Sequence, residues 1–187
     1  RVVRLADAEP RDAAAADDWF ISPCFNLPAG KYQISYTYNA LSPMSENLSV
    51  YMGMGATPAD MTTLIGAQNG IVKTAQNVVY TTVIDVPTAG IYNFGVYANS
   101  LAGNMGVTFD NLKITPMVNV LVTTGANGTI NPIGSIYVPY GNNQVFGISP
   151  DAMYHTAGVW VNNEQVVEED MQNSRFLTYT LNNVVSP

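Results

Sequence analysis

One cysteine and one histidine are all that this 187-residue chain has of either. That scarcity excludes a disulfide scaffold, a Cys/His zinc site and most nucleophile–histidine pairs. Charge is scarce as well: 11% of the residues are charged, under half the usual share of a globular domain. Seven Lys+Arg against fourteen Asp+Glu leave a net charge of −7, which argues against nucleic acid, because phosphate binding needs clustered cations. No apolar run reaches the roughly 18–20 residues that cross a bilayer, so no membrane insertion is expected. The chain opens on Arg1-Val2-Val3-Arg4, not on a charged stretch followed by an apolar core, and so shows no secretory leader. The only helix-like stretch, Ala13-Ala14-Ala15-Ala16, is too short to stand alone.

What is present points to strands. Hydrophobic residues make up 47% of the chain, enough to exclude a disordered polyampholyte. There are 21 Val, 16 Thr and 11 Tyr, which suit a pleated, half-buried surface. There are also 19 Asn, 15 Gly and 11 Pro, which punctuate turns. Several segments alternate with period two. In Lys31 to Tyr38, Tyr32, Ile34, Tyr36 and Tyr38 share one face. In Leu48 to Met54, Leu48, Val50, Met52 and Met54 share another. Val78 to Val86, Ile91 to Tyr97 and Val107 to Thr115 read as further strands, and Pro87-Thr88-Ala89-Gly90 has the chemistry of a tight turn. One apolar face per strand predicts two antiparallel sheets packed face to face.

Character changes near Pro116. Residues 1–116 hold nine acids and six bases, and residues 117–187 hold five acids and one base. The second part has shorter predicted strands, Val118 to Thr124, Ser135 to Val138, Gln144 to Ile148, Ala157 to Val161 and Leu177 to Leu181. Two domains are therefore expected, 1–116 and 117–187, joined by a short connection.

Asp17-Asp18-Trp19-Phe20-Ile21-Ser22-Pro23 followed by a Gly30 turn and a Tyr-rich strand, then Tyr51-Met52-Gly53-Met54-Gly55-Ala56-Thr57-Pro58, Gly90 to Ala98 and Phe109-Asp110-Asn111-Leu112-Lys113-Ile114, form an ordered set. Over 17–115 it resembles the cleaved-adhesin and choice-of-anchor J family of bacterial surface jelly rolls, which are MAM-like. Thr124 to Pro132, Val138 to Phe146, Ile148 to His155 and Val159 to Asn163 resemble a β-repeat of large secreted proteins from Bacteroidetes-type bacteria. Here Met153 and Asn163 stand where that repeat usually carries Gly. The resemblances imply an all-β chain: an antiparallel jelly-roll β-sandwich, then a smaller all-β repeat domain. They also imply that both ends are clipped, the repeat domain being incomplete at its C-terminus.

In related jelly rolls the closing-strand Asp and an acid near the first strand flank a structural calcium ion. The resemblance carries this to Asp110, with Asp17 or Asp18 as partner, although the usual first-strand Glu is absent. Glu164, Glu168, Glu169 and Asp170 form the densest acid run and read as a solvated hairpin loop, with a weak cation site as the alternative. Tyr32, Tyr36 and Tyr38 share a face with Ile34 and read as core. Tyr51 and Tyr97 fall opposite the apolar faces and are the candidate sugar platforms. Trp19 reads as packed beside Phe20 and Ile21. Trp160 points away from Val159 and Val161, into solvent or a contact between domains, and is the third ligand candidate. Cys24, after Pro23 in an apolar strand, reads as a buried inert thiol. His155 lies in a turn where the repeat carries a Tyr-His pair without chemistry, no Gly-x-Ser-x-Gly elbow exists, and no two carboxylates are placed in one cleft.

The expected function is non-catalytic: an extracellular adhesion or structural-display module of a bacterial surface or secreted protein. Its partners would be a host or neighbouring-cell protein or glycan, or further copies or domains of the same protein. The alternatives are a carbohydrate-binding accessory module and a fibre subunit assembled by β-strand addition.

Overall fold

The computed structural model describes residues 3–5, 15–167 and 176–185. The described chain is almost wholly antiparallel β, in two compact units, Arg1–Thr115 and Pro116–Pro187. Its strands are β1 (Val3–Leu5), β2 (Asp18–Ile21), β3 (Phe25–Leu27), β4 (Gly30–Ala40), β5 (Glu46–Gly53), β6 (Thr63–Ile71), β7 (Val78–Val86), β8 (Gly90–Ala98), β9 (Val107–Val122), β10 (Gly128–Asn131), β11 (Gly134–Pro139), β12 (Gln144–Pro150), β13 (Val159–Val161), β14 (Glu164–Val167) and β15 (Leu177–Leu181).

The first unit is a sandwich. One sheet runs β1-β9-β4-β7; the other runs β2-β8-β5-β6, with β3 also paired to β8. Period-two patterning decides which side chains meet between them. Ile34, Leu48, Val50, Phe94 and Val107 are wholly buried, and Tyr36, Val96 and Ala98 nearly so. Each such aliphatic or aromatic side chain contributes about 1.5–3 kcal/mol on burial. The core tyrosines keep their hydroxyls satisfied: Tyr36 donates to Gln68 Oε1 at 2.9 Å and Tyr32 to the Pro28 carbonyl at 2.9 Å.

Three readings of the sequence change at this level, those of Met54, Cys24 and Pro116. Met54 is 61% exposed, because β5 stops at Gly53 before Met54 can continue the apolar stripe. Cys24 is exposed, because Ser22-Pro23-Cys24 is the break between β2 and β3 and belongs to neither strand. The turn at Pro87-Thr88-Ala89-Gly90 links strands of different sheets, β7 and β8, and its Thr88 carbonyl accepts the Tyr92 hydroxyl at 2.9 Å. Pro116 does not end a strand. β9 runs through it, because Pro116 lies one residue beyond the β9–β11 ladder, which ends at Met117↔Pro139, where a missing N–H costs nothing.

The second unit pairs Met117–Val122 of β9 with β11, and places β12 between β10 and β15. Val118, Val138 and Val184 are its buried centre, with Val120, Ile136 and Leu181 packed around them. β13 and β14 form a hairpin whose turn residues Asn162 and Asn163 have φ of 50° and 68°. Asparagine tolerates that left-handed region, so the turn closes without a glycine at either position. Glu164 is the first residue of β14, exposed as expected but in a strand; Glu168, Glu169 and Asp170 lie outside the described residues, as do Ala13 and Ala14.

Candidate functional site

The outer face of the β2-β8-β5-β6 sheet carries an aromatic group assembled by register. On β2, Phe20 packs against the core, so Trp19 turns outward. On β8, Phe94, Val96 and Ala98 point inward, so Gly95 and Tyr97 turn outward. On β5, Leu48, Val50 and Met52 point inward, so Ser49 and Tyr51 turn outward. Trp19 lies opposite Tyr97, and Gly95 lies between Ile21 and Tyr51 on the strands either side. Trp19, Tyr97 and Tyr51 therefore come together from three adjacent strands.

The Trp19 and Tyr97 rings are stacked, with centroids 4.5 Å apart and planes 14° from parallel. Tyr51 meets Trp19 at 5.5 Å and 42°. All three rings are half-buried. Gly95 makes this packing available: a Cβ there would come within 2.6 Å of Met61 Cγ, 2.7 Å of Met61 Sδ and 3.0 Å of Trp19 Cζ3. Asp17, exposed just before β2, lies near enough to the Tyr97 side chain to act on its phenol. Partial burial raises the Tyr97 phenol above its ordinary pKa; the neighbouring Asp17 carboxylate and then Tyr51 add to that. The result is a half-exposed aromatic surface with a carboxylate at its rim. Such a surface stacks on apolar faces and accepts hydrogen bonds at its edge.

The structure thus brings together Tyr51, Tyr97 and Asp17 of the residues singled out in the sequence. It adds Trp19, whose signal was its alternation with Phe20. Trp160 is elsewhere. It belongs to the second unit, is 55% exposed, and lines a cavity of about 690 Å³ there with Val122, Phe146, Tyr179 and Leu181. Asp18, at the start of β2 opposite Ala98, is half-buried. Asp110 is on β9, in the other sheet; its Oδ1 accepts the Asn111 N–H at 2.7 Å and its carbonyl accepts the Thr37 hydroxyl at 3.2 Å. Among the described residues no three or more His, Cys, Asp or Glu side chains gather into a group able to hold a metal ion. Calcium takes six to eight oxygens, so carbonyl and water oxygens would have to supply most of a set built on Asp110.

The sequence reading passed over Glu46. It is wholly buried at the start of β5, and its Oε1 accepts the N–H groups of Met105 at 2.8 Å and Gly106 at 2.9 Å. Around it Asn104 Nδ2 donates to the Ser45 carbonyl at 2.6 Å and the Asn47 N–H donates to Ser100 Oγ at 2.9 Å. This carboxylate ties the loop before β9 to the start of β5. A lone Glu among polar residues gives no sign of that in the sequence.

No protein-family model matches the chain. No curated protein matches it either. Among solved structures, the chain is similar to the K3 cleaved adhesin domain of Lys-gingipain from Porphyromonas gingivalis W83, at 14% identity and a TM-score of 0.44 over 60% of this chain and 71% of that one. It is similar to the K1 cleaved adhesin domain of the same protein, at 16% identity and a TM-score of 0.44 over 62% and 72%. It is also similar to a carbohydrate-binding module of family 4, at 19% identity and a TM-score of 0.41 over 56% and 66%.

Proposed function

We propose that the first unit is a non-catalytic binding module of an extracellular bacterial protein, and that it binds a glycan through the Trp19–Tyr97–Tyr51 surface. The observation that carries the reading is the stacked Trp19–Tyr97 pair, flanked by Tyr51 and rimmed by Asp17, on one sheet face. Sugar rings present apolar C–H faces that stack on such rings, and their hydroxyls donate to a carboxylate at the edge. A glycan array tests the reading directly. Binding that Trp19→Ala removes supports it. An array without hits removes the glycan and leaves adhesion to a protein as the role of this face.

A structural calcium ion at Asp110, with Asp17 or Asp18 as partner, is a second proposal, and it rests on the family resemblance. The Asp110 carboxylate already accepts one protein donor, the Asn111 N–H at 2.7 Å. A ligand that binds only the folded state raises the melting temperature with its concentration. Melting curves in calcium and in chelator decide the matter: a higher midpoint in calcium supports the ion, and identical curves eliminate it.

A further inference from the structure

Exposed strand edges offer unpaired N–H and C=O groups to any other strand, and natural sheets usually guard them. Among the described residues, three of the four edges of the first unit are guarded or short. β1 is three residues long. The β2/β3 edge is interrupted at Ser22-Pro23-Cys24, and proline cannot donate to a ladder. β6 contains Gly66 and Gly70, and its register with β5 shifts between Glu46 and Leu48 and again between Val50 and Tyr51, so the edge is irregular.

The fourth edge, β7, has none of these devices. It is the last strand of its sheet among the described residues, and it pairs with β4 in one unbroken register from Gly30↔Val86 to Tyr38↔Val78. From Val78 to Ile84 it reads Val-Val-Tyr-Thr-Thr-Val-Ile, with no charge, glycine or proline. Tyr80 and Ile84 pack against the core, while Val79 is 66% and Val83 48% exposed on the outer face.

We propose that β7 is a pairing edge for a second copy of this chain, aligned antiparallel about a twofold axis through Thr81. The segment is self-complementary about that residue, as a twofold interface requires. Thr81 meets its own copy, Tyr80 meets Thr82, Val79 meets Val83 and Val78 meets Ile84. Paired threonines and β-branched residues directly opposite one another are favourable cross-strand partners. The two exposed valines on the outer face are thereby covered by each other's copies. Charge selects the same arrangement. In this register Asp85 falls opposite Asn77, whereas in-register parallel stacking would set Asp85 against Asp85. The contact is used up by one partner, so it closes as a dimer and does not propagate as a fibre. It is independent of what the Trp19 face binds.

Sedimentation velocity of the whole chain, from micromolar to hundreds of micromolar, tests the proposal. The expected result is a monomer–dimer equilibrium that Val83→Lys or Val79→Lys weakens at least about tenfold, since lysine on an edge is a natural guard. Both side chains are exposed, so thermal melts of these variants should show the fold retained. A Thr81→Cys variant, made with Cys24→Ser to remove the exposed native thiol, should oxidise to a covalent dimer, because opposed Cβ atoms across a twofold strand pair are within disulfide reach. A protein that stays monomeric throughout overturns the proposal. So does a dimer that both lysine variants leave intact, or a Thr81→Cys protein that oxidises no faster than one with the cysteine placed at Ser35 in the middle of the sheet.

Discussion

Trp19 and Tyr97 face each other across β2 and β8 with their rings stacked at 4.5 Å, and the Asp17 carboxylate lies near the Tyr97 phenol. The pair has two consequences. As packing, an aromatic stack adds about 0.5–1.5 kcal/mol beyond the area it buries. As surface, it leaves half-buried aromatic rings beside a carboxylate. Trp19→Ala is therefore expected to lower unfolding free energy by about 1–2 kcal/mol and to abolish glycan binding. Tyr97→Phe keeps the ring and removes the hydroxyl near Asp17, so it should leave stability within about 1 kcal/mol of the parent and weaken binding several-fold. Urea unfolding and affinity electrophoresis read the two effects separately. Equal binding by the parent and Trp19→Ala would take this face out of recognition.

Glu46 makes the second prediction. Its Oε1 accepts two backbone N–H groups and the residue is wholly buried. Removing the side chain leaves the buried Gly106 N–H without a partner, at about 1–3 kcal/mol, and frees the Met105 N–H, which is only partly buried. Glu46→Ala should cost about 1–3 kcal/mol, whereas Glu46→Gln keeps an acceptor oxygen and should cost less. Hydrogen exchange adds a local signature: the Met105 and Gly106 amides should lose protection in Glu46→Ala well before those of Leu48 and Val50. Uniform exchange across all four would show that Glu46 does not hold this loop.

The strands were legible because burial acts on alternate residues. Tyr32, Ile34 and Tyr36 are core for the same reason that they share a face in the sequence. Trp19 was harder, since its neighbours Phe20 and Ile21 are also apolar and a four-residue strand gives alternation little room. Joining Trp19 to Tyr97 and Tyr51 requires register between β2, β8 and β5, which are far apart in the chain; local pattern carries no such information. Cys24 and Met54 were misplaced because a strand's last residue is set by long-range pairing. Pro116 was misread as a terminator because whether a strand tolerates proline depends on which ladder its missing N–H would have joined.

Tyr36 supplies a pH prediction. It is 1% exposed, and burial raises its phenol well above the ordinary tyrosine value, with Tyr80 and Tyr38 adding to it. A folded-state pKa above the unfolded one means that the native protein keeps its proton when the unfolded chain has begun to lose it. The neutral phenol thus costs nothing below about pH 10, and stability falls as pH rises past that point, by about 1.4 kcal/mol per pH unit for this one group. Tyr36→Phe should start less stable, because Gln68 loses its partner, yet show a shallower alkaline decline. Chemical unfolding from pH 8 to 11 in both proteins checks it, and parallel curves would show that another group controls the alkaline limb.

The last prediction concerns Met153, which is wholly exposed, with φ at 74°. Its backbone is in the left-handed region, where a side chain with a Cβ costs about 1–2 kcal/mol and glycine does not. The side chain makes no buried contact that would offset the strain. Glycine also raises the entropy of the unfolded chain, which returns part of the gain. Met153→Gly should therefore stabilise by about 0.5–1 kcal/mol, visible as a higher urea midpoint with an unchanged slope. Met153→Asn should fall between the two, since asparagine visits this region more readily than other side chains. Met153→Ala should resemble the parent. If glycine lowers the midpoint, the turn at Asp151–Tyr154 is held by something other than its backbone angles.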